Sequence, residues 1–147
     1  MDGLKPDHSL NALVPELLVK NLDASLAFWC GPCGFTILYE RRDEGFACLA
    51  RDNAQVMLEE IARGRNWIDG PLEPPFGRGA NFQITVTSIS HIKDALAAIH
   101  WPLFMDSEEK WYRVSDYEIG VCQLLVQDPD GYLLRFGEPL GKRALIL

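Results

Sequence analysis

The predicted strands and helices follow the same order twice along this chain, and this internal repeat limits its possible folds more than any other feature. In the first copy, residues 13–19 (LVPELLV) alternate in the way of a strand. Asn21 is a suitable N-cap for a helix from Leu22 to about Trp29, whose apolar stripe is formed by Leu22, Leu26 and Trp29. Three strand-like runs follow this helix: GFTILYER, GFACLAR and AQVMLEEI.

The second copy begins at residues 81–87 (NFQITVT) with another alternating strand. Ser88 can cap the next helix, whose predicted apolar stripe is Ile89, Ile92, Leu96 and Ile99. Short strands with a loop (PLFM and EKWYRV) then precede VCQLLVQ, a tight Asp-Pro-Asp-Gly turn at 128–131 and the last strand YLLRFGE. Two βαβββ units predict an α+β fold in which two modules form a curved, cup-like mixed sheet with the helices outside.

The boundaries between the modules are predicted from glycine and proline content. Residues 62–79 contain four glycines and three prolines without a period, which is typical of a linker. Trp67 and Phe76 are expected to pack this linker onto a surface. The predicted organisation is an N-terminal tail (1–10), a first module (11–61), the linker (62–79), a second module (80–140) and a C-terminal tail (141–147).

The segment from Trp29 to Cys33, Trp-Cys-Gly-Pro-Cys, matches the signature of thioredoxin-type oxidoreductases. That chemistry needs the first thiol at a helix N-terminus, where the helix dipole stabilises the thiolate. Gly31 and Pro32 instead end the predicted helix, so Cys30 lies in its last turn, where a thiolate is disfavoured. We therefore expect a helix-ending turn in which Cys33 packs as a small apolar residue. A thiol-disulfide enzyme is the weaker hypothesis.

Composition and charge exclude several classes of protein. The chain has 147 residues, is 48% hydrophobic and contains no apolar run approaching the ~20 residues of a membrane span, so no membrane partner is expected. Its net charge of −7 argues against nucleic acid and is compatible with a cationic small ligand. The N-terminus lacks the basic start and apolar core of a signal peptide, which favours a cytoplasmic location with free cysteines.

Two segments of the chain carry a resemblance to a known superfamily: LLVKNLDASLAFW…GF near the start and LLVQDPDGYLLRFGEP near the end. They resemble the vicinal oxygen chelate superfamily. This superfamily includes glyoxalase I, extradiol dioxygenases, methylmalonyl-CoA epimerases and the fosfomycin and bleomycin resistance proteins. VMLEEI and NFQITVTSI lie where its first module closes and its second opens, so the likeness covers about residues 11–140.

Enzymes of that superfamily usually hold a divalent metal ion in the cup, with ligands from the first and last strands of each module. At the matching positions this chain has Val14, Met57, Asn81 and Arg135. Valine has no donor atom, a methionine sulfur is too soft for Mg²⁺ or Mn²⁺, and an arginine repels the ion. The three histidines, His8, His91 and His100, are expected away from the cup. We therefore expect neither a metal ion nor another cofactor.

If those four positions face inward, strand alternation predicts that an unusually polar set of side chains lines the cup. The opposite set is apolar and is expected to face the helices. Because buried polar groups cost free energy unless they are paired, the cup is either a wet ligand cavity, which we favour, or is closed by internal pairs such as Arg135 with Glu59. The polar set consists of Glu16, Glu59, Asn81, Gln83 and Arg135.

The replacement of the metal ligands is most similar to that in the metal-free bleomycin resistance proteins. Those proteins bind a cationic, metal-chelating glycopeptide in clefts between two protomers. This closer resemblance is carried by two segments, RRDEGFACLARDNAQVMLEEI and LVQDPDGYLLRF. It implies a non-catalytic homodimer that captures a bleomycin-like drug or a polar aromatic metabolite, and so antibiotic resistance by sequestration. The family's Trp-Gly pair, whose tryptophan stacks on the drug's bithiazole, corresponds here to Ile119-Gly120.

The predicted ligand-binding residues join the polar face to aromatic side chains on loops at the cleft, which can stack on a planar group. No catalytic residue is needed for capture. The alternative function is a glyoxalase-like lyase or isomerase, or a dioxygenase-related enzyme, with Glu16 or Glu59 as general base. The complete predicted binding set is Glu16, Phe46, Met57, Glu59, Asn81, Gln83, Trp111, Tyr112, Arg113 and Arg135.

Overall fold

The computed structural model describes residues 9–64 and 66–145. The prediction for His8 falls outside the described residues. The chain divides into two compact units, one ending at Pro74 and one beginning at Pro75, and each is described by itself below. Among the described residues, no helix is long and apolar enough to cross a membrane.

The first unit contains a four-stranded mixed sheet and one helix. Its strands have the order β1-β4-β3-β2, in which β1 runs parallel to β4 and the other pairs are antiparallel. A short 3₁₀ turn at Arg42–Glu44 connects β2 to β3. The elements are β1 (Glu16–Val19), α1 (Leu22–Cys30), β2 (Thr36–Arg41), β3 (Phe46–Arg51) and β4 (Ala54–Glu60).

The second unit repeats this arrangement. Its strands have the order β5-β8-β7-β6, with β5 parallel to β8 and the other pairs antiparallel. The predicted α+β fold with two βαβββ modules is therefore confirmed. The elements are β5 (Asn81–Thr85), α2 (Ile89–Ala98), β6 (Met105–Val114), β7 (Tyr117–Gln127) and β8 (Leu133–Ala144).

One face of each sheet is buried, as the alternation predicted. In the first module this face carries Leu17, Val19, Val56 and Leu58, each at most 6% exposed. In the second module it carries Ile84, Leu134 and Phe136, each at most 5% exposed. Because successive strand residues point to opposite faces, the polar residues between them lie on the other face.

Both helices begin at the predicted caps. The Asn21 side chain accepts a hydrogen bond from the N–H of Ala24 at 2.9 Å, and Ser88 accepts one from the N–H of His91 at 3.3 Å. The stripe of α1 is buried at Leu22, Leu26 and Trp29. The stripe of α2 is buried except at Ile99, where the prediction is wrong: this residue ends the helix and is 49% exposed.

Several strands differ in length from the prediction. β1 begins at Glu16 rather than at residue 13, and Leu13 is 84% exposed. Residues 105–114 form one strand, interrupted only by an irregularity between Met105 and Glu108, where short strands and a loop were expected. β8 continues to Ala144, into the predicted C-terminal tail, because it pairs with the whole of β7.

The segment between the sheets has no regular strand or helix among its described residues, 62–64 and 66–80. Phe76 is 4% exposed and packs edge-on against Tyr132 with their ring centroids 6.0 Å apart. Trp67, in contrast, is 70% exposed. The packing expected of this segment is therefore confirmed at Phe76.

Candidate functional site

A pocket of about 220 Å³ lies on the second module, on the sheet face opposite Leu134 and Phe136. All four strands of the sheet contribute to it, and its lining mixes amide, hydroxyl and guanidinium groups with apolar side chains. The lining residues are Gln83, Tyr112, Ile119, Val121, Gln123, Arg135 and Gly137.

Strand register brings these residues together from distant parts of the sequence. Gln83 on β5 pairs with Arg135 on β8, and Gly137 on β8 pairs with Gln123 on β7. Tyr112 on β6 pairs with Ile119 on β7. Directly paired residues project to the same side of a sheet, so the three pairs form one continuous surface.

Gln123 forms the centre of a hydrogen-bonded group in the pocket. Its side chain is buried, with 4% of the residue exposed. Its Nε2 donates to the Tyr112 hydroxyl at 2.7 Å and to Glu108 Oε1 at 3.3 Å. A buried amide must be paired to avoid a desolvation cost, so these bonds hold the Tyr112 ring beside the pocket.

Arg135 brings a positive charge to the same surface. It is half-buried, and its Nε donates to the Asn81 side-chain oxygen at 3.1 Å. This bond accounts for one of the five guanidinium N–H groups. The structure thus brings Asn81, Gln83, Tyr112 and Arg135 of the predicted binding set together, and their role in binding a ligand stays a prediction.

Gly137 leaves space that a side chain would fill. A Cβ built at this residue would come within 2.9 Å of Val121 Cγ2. Gly137 and Val121 both line the pocket, so the missing side chain contributes to its depth.

Trp111 and Arg113 do not line this pocket. Trp111 neighbours Tyr112 on strand β6, not on a loop as expected, and therefore faces the other way. Its ring lies over Gly120, and the Arg143 guanidinium is 4.2 Å from the ring centroid. The Nε of Arg113 donates to the Ser115 carbonyl at 3.0 Å in the turn that follows the strand.

The remaining predicted residues share one face of the first module. Glu16 pairs with Met57 across β1 and β4, and Phe46 pairs with Glu59 across β3 and β4. Phe46 is only 3% exposed and lies within strand β3 under Arg41, whose guanidinium carbon is 4.0 Å from the ring centroid. The Arg41 side chain covers that ring, so a ligand can stack on it only if Arg41 moves away, and the role of Phe46 in binding a ligand stays a prediction.

Two carboxylates on this face interact electrostatically. Partial burial raises the pKa of Glu16 above its usual value, the charge of Glu59 raises it further, and the charge of Arg41 lowers it. Glu59 accepts a hydrogen bond from the Asn66 side chain at 3.1 Å. Glu16 therefore ionises with greater difficulty than an isolated glutamate.

The divalent metal ion that the resemblance associates with this fold does not fit the residues present. In the second module, the Asn81 oxygen accepts a hydrogen bond from Arg135, whose fixed positive charge opposes a cation. In the first module, Val14 has no donor atom and Met57 offers only a thioether. Within the described ranges, no three His, Cys, Asp or Glu side chains are grouped so as to hold a metal ion.

Cys30 occupies the end of α1, as predicted. It is the last residue of the helix, and Gly31 donates to the Ala27 carbonyl at 3.1 Å. Burial raises the pKa of the Cys30 thiol, and the Glu40 carboxylate raises it further. Cys33 is fully buried. A thiol with a raised pKa lacks the activation that a disulfide oxidoreductase requires.

The predicted binding set did not include four residues of the pocket: Ile119, Val121, Gln123 and Gly137. The signal was present, because residues 119, 121 and 123 alternate along β7, but β7 is neither the first nor the last strand of its module, and only those strands were expected to line the cup. The contribution of Gly137 depends on its distance from Val121, which the sequence does not state.

No family model and no curated protein matches this sequence. Solved structures do. TioX from Micromonospora sp. ML1 is 18% identical over 88% of this chain and 99% of its own, with a TM-score of 0.68. Lactoylglutathione lyase from Agrobacterium tumefaciens is 18% identical over 87% of this chain and 93% of its own, with a TM-score of 0.56. Both likenesses concern the fold.

A further structure is described as a glyoxalase/bleomycin resistance protein/dioxygenase superfamily member from Vibrio splendidus 12B01. It is 34% identical over 85% of this chain and 95% of its own, and its TM-score is 0.38.

Proposed function

We propose that this chain, whose fold and structural neighbours support the vicinal oxygen chelate superfamily, is a small-molecule-binding protein that captures its ligand without changing it. The observation that carries the proposal is the pocket of the second module, where Tyr112, Gln123 and Arg135 surround a space beside Ile119 and Val121. Binding sites combine an apolar lining with a few placed polar groups in this way.

The size of the pocket limits what it can hold. Its volume of about 220 Å³ lies below the roughly 300–1,000 Å³ of sites that enclose a whole drug-sized ligand. We therefore expect it to accept a planar ring of the ligand, with the remainder lying outside the pocket. Tyr112, which is 36% exposed, offers that ring an aromatic surface.

We propose two ligand classes, a bleomycin-like drug and a polar aromatic metabolite. The drug is cationic, and the net charge of −7 favours its approach. Its bithiazole is a planar group of the kind that the pocket can accept. Ile119, which stands where the bleomycin resistance proteins have tryptophan, lines the pocket and is 42% exposed. Capture of such a drug is the proposed route to antibiotic resistance.

We further propose that two copies of the chain form a homodimer. In the bleomycin resistance proteins the binding clefts lie between two protomers, and the similar sequence order is the basis of this proposal. Sedimentation equilibrium of the purified chain tests it, because a monomer at all concentrations contradicts it.

The experiment that tests capture is a calorimetric titration of EDTA-treated protein with bleomycin, repeated after addition of Mn²⁺, Ni²⁺ or Zn²⁺. Saturable binding without metal, near one drug per chain, supports the proposal. Gly137→Val fills the pocket and is expected to abolish binding, whereas Gly70→Ala, where an added Cβ meets no atom within 4 Å, is the matched control. The absence of binding with and without metal contradicts drug capture.

The alternative function is a glyoxalase-like lyase or isomerase, and the raised pKa of Glu16 favours it. A carboxyl group that ionises nearer to neutral pH is a better general base. An assay for lactoylglutathione formation by EDTA-treated and metal-supplemented protein tests this function. Turnover that Glu16→Gln abolishes would establish it, and ligand binding without turnover would exclude it.

A further inference from the structure

We infer that Arg135 forms an anion subsite in the pocket of the second module, and that the ring held there carries a carboxylate. This inference rests on the proposed ligand-binding function and specifies the chemistry of the ligand. Of the two ligand classes, it favours an aromatic metabolite with a carboxylate on its ring.

The hydrogen bonding of Arg135 leaves its outer edge open to a ligand. Its Nε bonds to Asn81, and among the described residues no carboxylate forms an ion pair with its guanidinium. The bond to Asn81 fixes one side of the planar group and leaves the N–H groups of the two terminal nitrogens. Two parallel N–H groups match the two oxygens of a carboxylate, which gives a short, directional pair of bonds.

The lining of the pocket supports an anion at this position. Of the seven residues that line the pocket, Arg135 is the one that carries a charge. The amides of Gln83 and Gln123 supply neutral donors, and Ile119 and Val121 supply an apolar surface for a ring. A charge pair in a half-buried site is screened less by solvent than one on the open surface.

Further charges lie farther along the same sheet face, including that of Lys142, which pairs with Ile119. The Glu108 carboxylate accepts a hydrogen bond from Gln123 at 3.3 Å, and the Lys110 ammonium is 5.9 Å from the centroid of the Tyr112 ring. These two charges have opposite signs and lie on the same strand. They therefore do not reverse the positive sign that Arg135 gives to the pocket.

The net charge of the chain cannot explain a preference for an anionic ligand. A chain of net charge −7 repels anions at long range, so a preference for an anion has to arise from a local positive group. The inference thus predicts the opposite charge preference to the one that the overall charge favours.

The probes are benzoate, benzamide and benzylamine, which share one ring and differ in charge. Each is titrated into ¹⁵N-labelled protein, and the amide signals of Val121 and Gln123 report on binding in the pocket. We expect benzoate to bind about tenfold more tightly than benzamide, because a charge-assisted bidentate contact is roughly twice as strong as a neutral one. Benzylamine is expected to bind most weakly.

Variants assign the preference to Arg135. Arg135→Gln is expected to remove the tenfold preference for benzoate over benzamide, and Arg135→Lys is expected to retain only part of it. Arg42→Gln, which removes an exposed arginine of the first module, is the matched control and is expected to retain the preference.

Equal binding of the three probes, or a preference that survives in Arg135→Gln, overturns the inference and leaves the proposed capture function intact. Failure of all three probes to shift the pocket signals also overturns it. In that case the titration with bleomycin decides independently whether the chain captures ligands.

Discussion

Glu60 and Glu138 occupy equivalent positions in the two modules, and each carboxylate accepts a hydrogen bond from the first residue of its module's helix. The Leu22 N–H donates to Glu60 at 2.9 Å, and the Ile89 N–H donates to Glu138 at 2.8 Å. Glu60 lies on β4 and Glu138 lies on β8. In each module, this is the strand that runs parallel to the first strand. The last strand of each module thus satisfies an N–H group that has no partner within the helix.

Removal of this contact is expected to destabilise the second module. Glu138→Ala leaves the Ile89 N–H without its acceptor and removes a negative charge from the helix N-terminus, so we expect a loss of about 1 kcal/mol in the free energy of unfolding. Urea denaturation measures it. Glu73→Ala, at an exposed position outside the strands and helices, is the control and should have a much smaller effect. Equal effects of the two substitutions would contradict this role.

The raised pKa of Glu16 predicts how stability depends on pH. The folded chain holds the Glu16 proton more tightly than the unfolded chain does, so stability falls as pH rises from the ordinary glutamate pKa through the raised one. Glu16→Gln removes this ionisation. Because Glu16 is only partly buried and solvent screens its charge, we expect a small gain in the free energy of unfolding at neutral pH and none below the ordinary pKa.

Urea denaturation of wild type and Glu16→Gln at several pH values measures the difference. Glu73→Gln serves as the control for loss of an exposed carboxylate. A difference between wild type and Glu16→Gln that does not change with pH would show that the titration of Glu16 does not affect stability.

The sequence predicts the order of elements well because the signals for it are local. Asn21 and Ser88 each provide an oxygen three residues before the N–H group that they cap. The turn at 128–131 is fixed by Asp128, whose carboxylate accepts from the N–H groups of Asp130 and Tyr132 at 3.0 and 2.9 Å. Both kinds of signal lie within a few residues and require no knowledge of distant contacts.

Strand ends and the pocket were predicted less well because they depend on partners distant in the sequence. β8 continues to Ala144 since residues 117–121 of β7 remain available for pairing. Trp111 and Tyr112 are equally aromatic neighbours, and only the register with β7 decides that Tyr112 faces the pocket while Trp111 covers Gly120. Burial of Phe46 under Arg41 likewise depends on pairing between β2 and β3.

The position of Cys30 predicts that its thiol is slow to react at neutral pH. Burial and the Glu40 carboxylate raise its pKa, so the thiolate fraction is small. Alkylation by iodoacetamide as a function of pH, in a Cys122→Ser background, should give a midpoint above that of a cysteine in an unfolded peptide. Glu40→Gln should lower this midpoint. A midpoint below neutral pH would instead favour the thiol-disulfide hypothesis.

The hydroxyl of Tyr112 is expected to stabilise the pocket. Tyr112→Phe removes the acceptor of the 2.7 Å hydrogen bond from the buried Gln123 amide, so we expect a loss of about 1 kcal/mol in the free energy of unfolding. Tyr117→Phe, on the neighbouring strand, is the control and is expected to change stability little. If the two substitutions have the same effect, the hydrogen bond to Gln123 does not contribute to stability.

Gly120 and Trp111 are expected to be energetically coupled. A Cβ at residue 120 would lie 2.7 Å from the indole ring, so Gly120→Ala must displace Trp111 and disturb its contact with the Arg143 guanidinium. We expect this substitution to cost about 1–3 kcal/mol, as overpacking does in other well-packed sites. In a Trp111→Leu background the smaller side chain leaves room for the methyl group, and the cost of Gly120→Ala should fall by more than half. A double-mutant cycle from urea denaturation measures this coupling, and additive effects would show that the indole does not require a glycine beside it.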